Sequence, residues 1–197
     1  MTVPAFKEWA VIVRALLEGE QILDVRKGGL IEDGRRFRVK SARVWLYPTV
    51  EHQQPELLKP AYRSTVELAA GSPVGEPIRI DGWADIVGVT TITEPEQLEA
   101  LDSKLIWAYE YAESRLHWKK RQPLWVLAMR VHRLMEPLEV PWRDEYGGCT
   151  SWVDLAAPLP DPDELESEPA LSDTAFGARL KGVNGALGTP MEEPALA

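Results

Sequence analysis

Three short stretches of this sequence carry side chains able to do chemistry. The first is YPTVEHQQ, residues 47–54, which places Tyr47, Thr49, Glu51, His52 and Gln53 directly after the apolar run ARVWLY. Polar residues leaving a buried strand stand where ligand-binding loops begin. His52 has the chemistry of an acid, a base or a metal ligand. Glu51 would orient it only if the fold joins two side chains that an extended strand points apart. The plainer reading is a structural histidine in a capping network that closes the loop. The second stretch is RKGGLIEDGRRFRVKSAR, residues 26–43. It carries seven bases, with Arg26 and Lys27 at its head, against two acids. The third is RLHWKKR, residues 115–121, with four bases, no acid, and His117 and Trp118 interleaved. Local positive fields suit phosphate groups, because affinity for a nucleic-acid backbone is largely neutralisation of its charge. Trp118 beside Arg115 adds a stacking surface for a base or another planar ligand. A solvated hairpin and helix end, neutralised by the chain's own acids, is the plainer reading of these residues.

Arg130 and His132 lie in the apolar run PLWVLAMRVHRL, on the face of Val126 and Ala128 if alternation holds. A charged arginine in such a strand needs a partner; Glu8 is the expected one, and an anion is the alternative. The order helix, three strands, helix, strand is shared with restriction-endonuclease-like cores, which use clustered carboxylates and a lysine around a divalent metal. Here IDGWADIV supplies Asp81 and Asp85 without the lysine, so a metal-dependent nuclease or other hydrolase is the second choice. Walker A, HExxH, GxSxG and GxGxxG motifs are absent, and no cofactor or metal is expected. KGVNGALG, residues 181–188, is Gly-rich, but no strand precedes it as a phosphate loop requires.

The elements that must position these residues follow from periodicity. AFKEWAVIVRALLE, residues 5–18, reads as an amphipathic helix with Phe6, Trp9, Ala10, Val13, Leu16 and Leu17 on one face, stopped by Gly19. Residues 21–27 read as a short strand and 36–47 as a long one, the two forming a hairpin. Residues 77–92 give one strand or two, interrupted at Gly82. TEPE, residues 93–96, has capping-box spacing and opens a long helix to about Leu116, with a possible break near Asp102-Ser103. On that helix Leu105, Tyr109, Ala112 and Leu116 share one face. Trp107, Tyr111 and Trp118 share the other, with Arg115 at its edge. The second face must be buried or offered to a partner, so a protein-interaction module is a third choice. Residues 123–134 read as a strand, and 136–155 as an irregular closing segment. The expected fold is α+β: a mixed sheet of four to five strands, with the N-terminal helix and the long second helix packed on it.

Composition draws the boundaries. The chain has 197 residues and net charge −9, but residues 158–197 hold eight acids against two bases, six prolines and none of the eight tryptophans. The reading is a single globular domain over 1–157 and a disordered acidic tail over 158–197. Cys149 is the one cysteine, which excludes an internal disulfide framework and a cysteine-based zinc cluster. No apolar run approaches the ~18 residues of a membrane helix, and the first residues lack a secretory pattern. A cytoplasmic protein with no membrane partner is expected.

Four stretches together, AFKEWAVIVRALLEGEQILDVRKGG, WLYPTVEHQ, SRLHWKKRQPLWVLAMRVHRL and YGGCTSWVDL, resemble a bacterial family, domain-of-unknown-function family 1802. The resemblance covers most of residues 5–156 in order and does not reach the tail. It implies a loose link to DNA restriction systems and no assigned catalytic residues. Where the family carries a branched apolar residue in the strand read here over 21–27, this chain has Asp24. The function expected is a non-catalytic binding or accessory module for nucleic acid or a phosphate-bearing ligand. Its candidate ligand-binding residues are Arg26, Lys27, Tyr47, Thr49, Glu51, His52, Gln53, Arg115, Trp118 and Arg130.

Overall fold

The computed structural model describes residues 3–27, 31–33, 36–67, 69, 71–118, 123–148, 150–156 and 159–196. The expectations placed on Arg35, Cys149 and residues 119–121, and on the side chains of Arg36 and Arg38, lie outside the described residues. The chain opens with strand β1 (Ala5–Trp9), which turns directly into helix α1 (Ala10–Leu17). The single helix expected over 5–18 is therefore half strand. β1 lies parallel to a strand far along the chain, pairing Ala5 with Trp45 and Trp9 with Thr49, and that ladder outweighs local helical periodicity. Gly19, at φ +69° against Leu171, ends α1 as expected.

Strands β2 (Leu23–Arg26), β3 (Ile31–Asp33), β4 (Arg36–Val39) and β5 (Arg43–Thr49) follow. The stretch expected as one strand over 36–47 is two, β4 and β5, in different sheets. Next come β6 (Ile78–Ile92), α2 (Pro95–Asp102), α3 (Tyr109–His117) and β7 (Leu124–Val140). The long helix is broken after Asp102. Its start also shifts by one residue: Glu94, not Thr93, is the N-cap, sharing a capping box with Gln97, because Pro95 belongs at the first helical position. Strands β8 (Trp152–Val153) and β9 (Ser167–Pro169), helix α4 (Asp173–Leu187) and strand β10 (Ala195–Leu196) complete the chain.

The main sheet is mixed and seven-stranded, in the order β2-β7-β6-β5-β1-β8, with β9 also on β7. This is a larger sheet than the four to five strands expected. The additional strands are β1, which lies between β5 and β8, and the short edges β8 and β9, which carry little periodic signal. The hairpin expected between residues 21–27 and 36–47 does not form: β2 pairs with β7, and β5 with β1 and β6. A second sheet holds β10-β4-β3.

One face of the main sheet packs Phe6, Val44, Leu46, Ala84, Leu127 and Met129 around α1. The other face is covered at one end by α2, α3 and α4 through Leu98, Leu101, Ala112, Leu116 and Val183. At its other end Trp45, Tyr47, Trp83 and Tyr146 form a separate cluster. Four strands lie between β2 and β8, and three between β2 and β1, yet Arg26 of β2 reaches β1: its Nη2 donates to the Lys7 carbonyl at 2.6 Å, and its guanidinium lies 4.0 Å from the Phe6 ring centroid. The sheet thus curls about α1 until its two sides nearly meet, and Arg26 fills the seam.

Residues 159–196 are not the unstructured tail expected from composition. They carry β9, α4 and β10, and α4 buries Val183 and packs Phe176 and Leu180 into the core beneath α2. Their acids are also used: Asp163 pairs with Arg43, Glu168 with Arg133 and Asp173 with Arg130. Acid-rich composition signals disorder only where apolar residues are too few to anchor the segment, and a small set suffices here.

Candidate functional site

At the seam, where β1, β5 and β2 all reach their C-terminal ends, a cleft of about 770 Å³ opens. Its floor is Glu8, Trp9 and Arg26. One side is α3 and its flanks, with Trp107, Tyr111, Arg115, Trp118 and, from the end of β2, Lys27. The other is the turn after β5, with Thr49, Glu51 and His52, and the approach to β8, with Gly148, Thr150, Ser151 and Trp152.

The floor is an ionic network. On β2, Leu23 and Val25 face the helices, so Asp24 and Arg26 turn to the α1 side of the sheet, where Phe6 and Glu8 of β1 also point. Arg26 bridges both acids, with Nε 3.0 Å from Asp24 Oδ2 and Nη2 2.8 Å from Glu8 Oε2. Burial, with the Glu8 charge second, pushes the Asp24 carboxyl up to about 7 despite Arg26. Burial works against the Arg26 charge as well, but Glu8 and then Asp24 outweigh it and raise its pKa.

The turn side is neutralised internally. Lys7 Nζ donates to Glu51 Oε2 and to the carbonyls of Tyr146 (2.9 Å) and Gly148 (3.0 Å). That hydrogen bond from Lys7 is the main reason Glu51 stays below the usual carboxylate range. Thr49 Oγ1 accepts from the Glu51 amide at 3.2 Å. His52 follows at φ +59°, exposed at the rim.

The α3 side is different. The segment before α3 is held by hydrogen bonds from Ile106 N to Gln21 Oε1 (3.0 Å) and from Ala108 N to the Leu57 carbonyl (2.9 Å), which fixes Trp107. Along α3, Ala112 and Leu116 face the core while Tyr111 and Arg115, four residues apart, face the cleft. Trp9, Trp107 and Tyr111 form one aromatic cluster, with centroids 4.9 Å apart for Trp9–Trp107 and 4.7 Å for Trp107–Tyr111. Arg115 lies 6.0 Å from the Tyr111 ring centroid and 4.5 Å from that of Trp118. Lys27 Nζ donates to the Leu116 carbonyl at 2.7 Å, a favourable cation at a helix C-terminus. Its pKa is lowered, first by burial and then by the charge of Arg115. Neither Lys27 nor Arg115 has a carboxylate partner among the described residues. The cleft as a whole sets four cations, Lys7, Arg26, Lys27 and Arg115, against two carboxylates, Glu8 and Glu51.

The model of domain-of-unknown-function family 1802 (DUF1802) matches residues 5–181, from β1 into α4. The chain belongs to this family. No curated protein and no solved structure matches it. No helix among the described residues is long and apolar enough to cross a membrane.

In this DUF1802 chain, seven of the ten residues singled out from sequence line the cleft: Arg26, Lys27, Thr49, Glu51, His52, Arg115 and Trp118. Three do not. Tyr47 is one position off the turn and points into the core with Tyr146, where burial and then Glu51 push its phenol up to about 12. Gln53 Oε1 accepts the Val11 amide at 3.1 Å, so this side chain satisfies the start of α1. Arg130 is held by Asp173 (2.6 Å) and the Leu171 carbonyl (2.7 Å). Its partner is in the C-terminal segment, and Glu8 belongs to Arg26 instead. The octapeptide 47–54 is thus a working mixture: Tyr47 core, Gln53 cap, and Thr49, Glu51 and His52 rim. Lys7 and Trp152 were missed. Reading AFKEW as a strand would have put Phe6 and Glu8 on one face and Lys7 on the other, beside Tyr47.

Asp81 and Asp85 do not form a metal site here. They are paired with Arg79 and Arg43 respectively, and no group of three or more metal-ligating side chains occurs among the described residues.

Proposed function

We propose that this chain is a non-catalytic binding module whose cleft takes a phosphate-bearing ligand, with nucleic acid as the partner. The observation that carries this reading is the Lys27–Arg115 pair. Two adjacent cations, the first with its charge already disfavoured, lack a carboxylate of their own and open into an aromatic-walled cleft. A bound phosphate would neutralise both, accept their hydrogen bonds and favour the protonated form of Lys27. The absence of a catalytic role is supported by how the other ionisable groups are engaged: Lys7 with Glu51, and Arg26 with Asp24 and Glu8. A nucleic-acid partner also fits the link to DNA restriction that the family resemblance implies. Three acids of the C-terminal segment pair with Arg43, Arg130 and Arg133, and no residue of 159–196 lines the cleft.

The test is binding of a short single-stranded oligonucleotide at low salt, followed by tryptophan fluorescence, for the wild type and for Arg115→Gln and Lys27→Gln. Each substitution should weaken binding roughly tenfold, the scale of a lost charge-assisted contact. An oligonucleotide that does not bind the wild type, or that binds both variants as well as the wild type, contradicts the reading.

A further inference from the structure

We infer that the cleft takes one unpaired nucleobase together with its phosphate, the phosphate on the α3 side and the base edge on the turn side. This rests on the phosphate-binding reading above and makes it specific.

The two sides of the cleft differ in chemistry. The positive charge without a carboxylate partner is confined to Lys27 and Arg115. On the turn side Lys7 is already matched by Glu51, so a second phosphate arriving there would meet a carboxylate with no unmatched cation beside it. A ligand with phosphate at both ends is therefore disfavoured. A ligand with phosphate at one end and a neutral edge rich in N–H donors at the other is favoured, and Thr49, Glu51 and Ser151 supply acceptors for such an edge.

Each side carries an aromatic ring. Trp118 is 47% exposed at the mouth, with the Arg115 guanidinium over its ring. Trp152 borders the turn side, its ring edge-on to Phe6 at 5.3 Å. A half-exposed ring beside a cation, as Trp118 is beside Arg115, is a surface on which single-stranded bases stack. A volume of about 770 Å³ is in the range that encloses a small-molecule-sized group and does not admit a double helix. Lys27 is recessed, at 6% exposure. A phosphate reaches it only if its own nucleotide enters the cleft, which a paired base cannot do without leaving the stack. The shared chemistry is thus a nucleoside phosphate with a free base, whether a free nucleotide or one residue of a strand.

The experiment compares four probes on the full chain by tryptophan fluorescence: a short single strand, the same strand with abasic sites, the blunt duplex, and a nucleoside monophosphate. The single strand is expected to bind about tenfold or more tighter than the abasic strand, the scale of one base–aromatic stack, and tighter than the duplex. Trp118→Ala should shrink the ratio of single-strand to abasic-strand affinity to about threefold or less, whereas Arg115→Gln should weaken both strands alike and leave that ratio intact. Trp118 is half exposed, so the variant should fold, and an unchanged melting temperature would show that it does. A monophosphate that binds as tightly as the strand also supports the inference and identifies the free nucleotide as the source. Equal binding of base-bearing and abasic strands, or preference for the duplex, overturns the inference and leaves the phosphate reading intact. Binding of none of the four probes removes the phosphate reading itself.

Discussion

Arg26 illustrates how one side chain here serves fold and site together. It spans the seam between β2 and β1, and it pairs with both Asp24 and Glu8. Asp24 is the costly member, 1% exposed and raised to about 7 mainly by burial. A carboxyl whose folded pKa lies above its unfolded value gives stability that is fully present below the unfolded value, near 3.8. That stability is lost as pH rises through the folded value, near 7. Asp24→Asn, which keeps the shape and cannot ionise, should therefore gain on the wild type as pH rises from about 5 to about 8. Melting temperatures of the two proteins across that range check this, and a constant difference would show that Asp24 does not titrate there. At this scale much of the site was legible in sequence. Arg115 beside Trp118, and Arg26-Lys27 at a strand end, were singled out from sequence and do line the cleft. Tyr47, Gln53 and Arg130 were not legible as structural residues, because core, cap and ion-pair roles depend on partners far along the chain, 43 positions away for Arg130 and Asp173.

Elements were read well where they are long and packed on one side, and poorly where a distant partner decides. β6 and β7 announced themselves as apolar runs, and the two faces of α3 follow its periodicity. β1 was hidden because AFKEWAVIV satisfies helical spacing, and only the ladder to β5 makes its first five residues extended. Gly82, expected to interrupt a strand, instead lies at a bulge inside continuous β6, where the pairing with β7 shifts register. A Cβ there would lie 2.3 Å from the His132 carbonyl oxygen and 2.5 Å from Leu17 Cδ2. The glycine is what lets the end of α1 press into the curled sheet. Leu17 could turn aside but the backbone carbonyl cannot, so Gly82→Ala should cost about 2–4 kcal/mol. Chemical denaturation measures this directly, and a loss below about 0.5 kcal/mol would mean that the bulge relaxes freely.

For the whole molecule, the curl of the sheet creates the cleft and the C-terminal segment braces the opposite side. The surface ion pairs of residues 159–196 contribute little individually; Val183, Phe176, Leu180 and Leu171 anchor the segment through the core they share with α2 and β7. Removing residues 158–197 should therefore lower stability by on the order of 5 kcal/mol, visible as a large fall in melting temperature; an unchanged midpoint would show that the segment does not pack. The cleft is the functional claim on which the account turns, and it predicts an electrostatic signature at Lys27 and Arg115. The most direct measurement is the salt dependence of single-strand binding for the wild type and the Lys27→Gln, Arg115→Gln double variant. If these two cations neutralise phosphate, the log–log slope of affinity against salt should become shallower by roughly one to two in the variant. An identical slope in the two proteins would contradict the claim and place any nucleic-acid contact elsewhere on the surface.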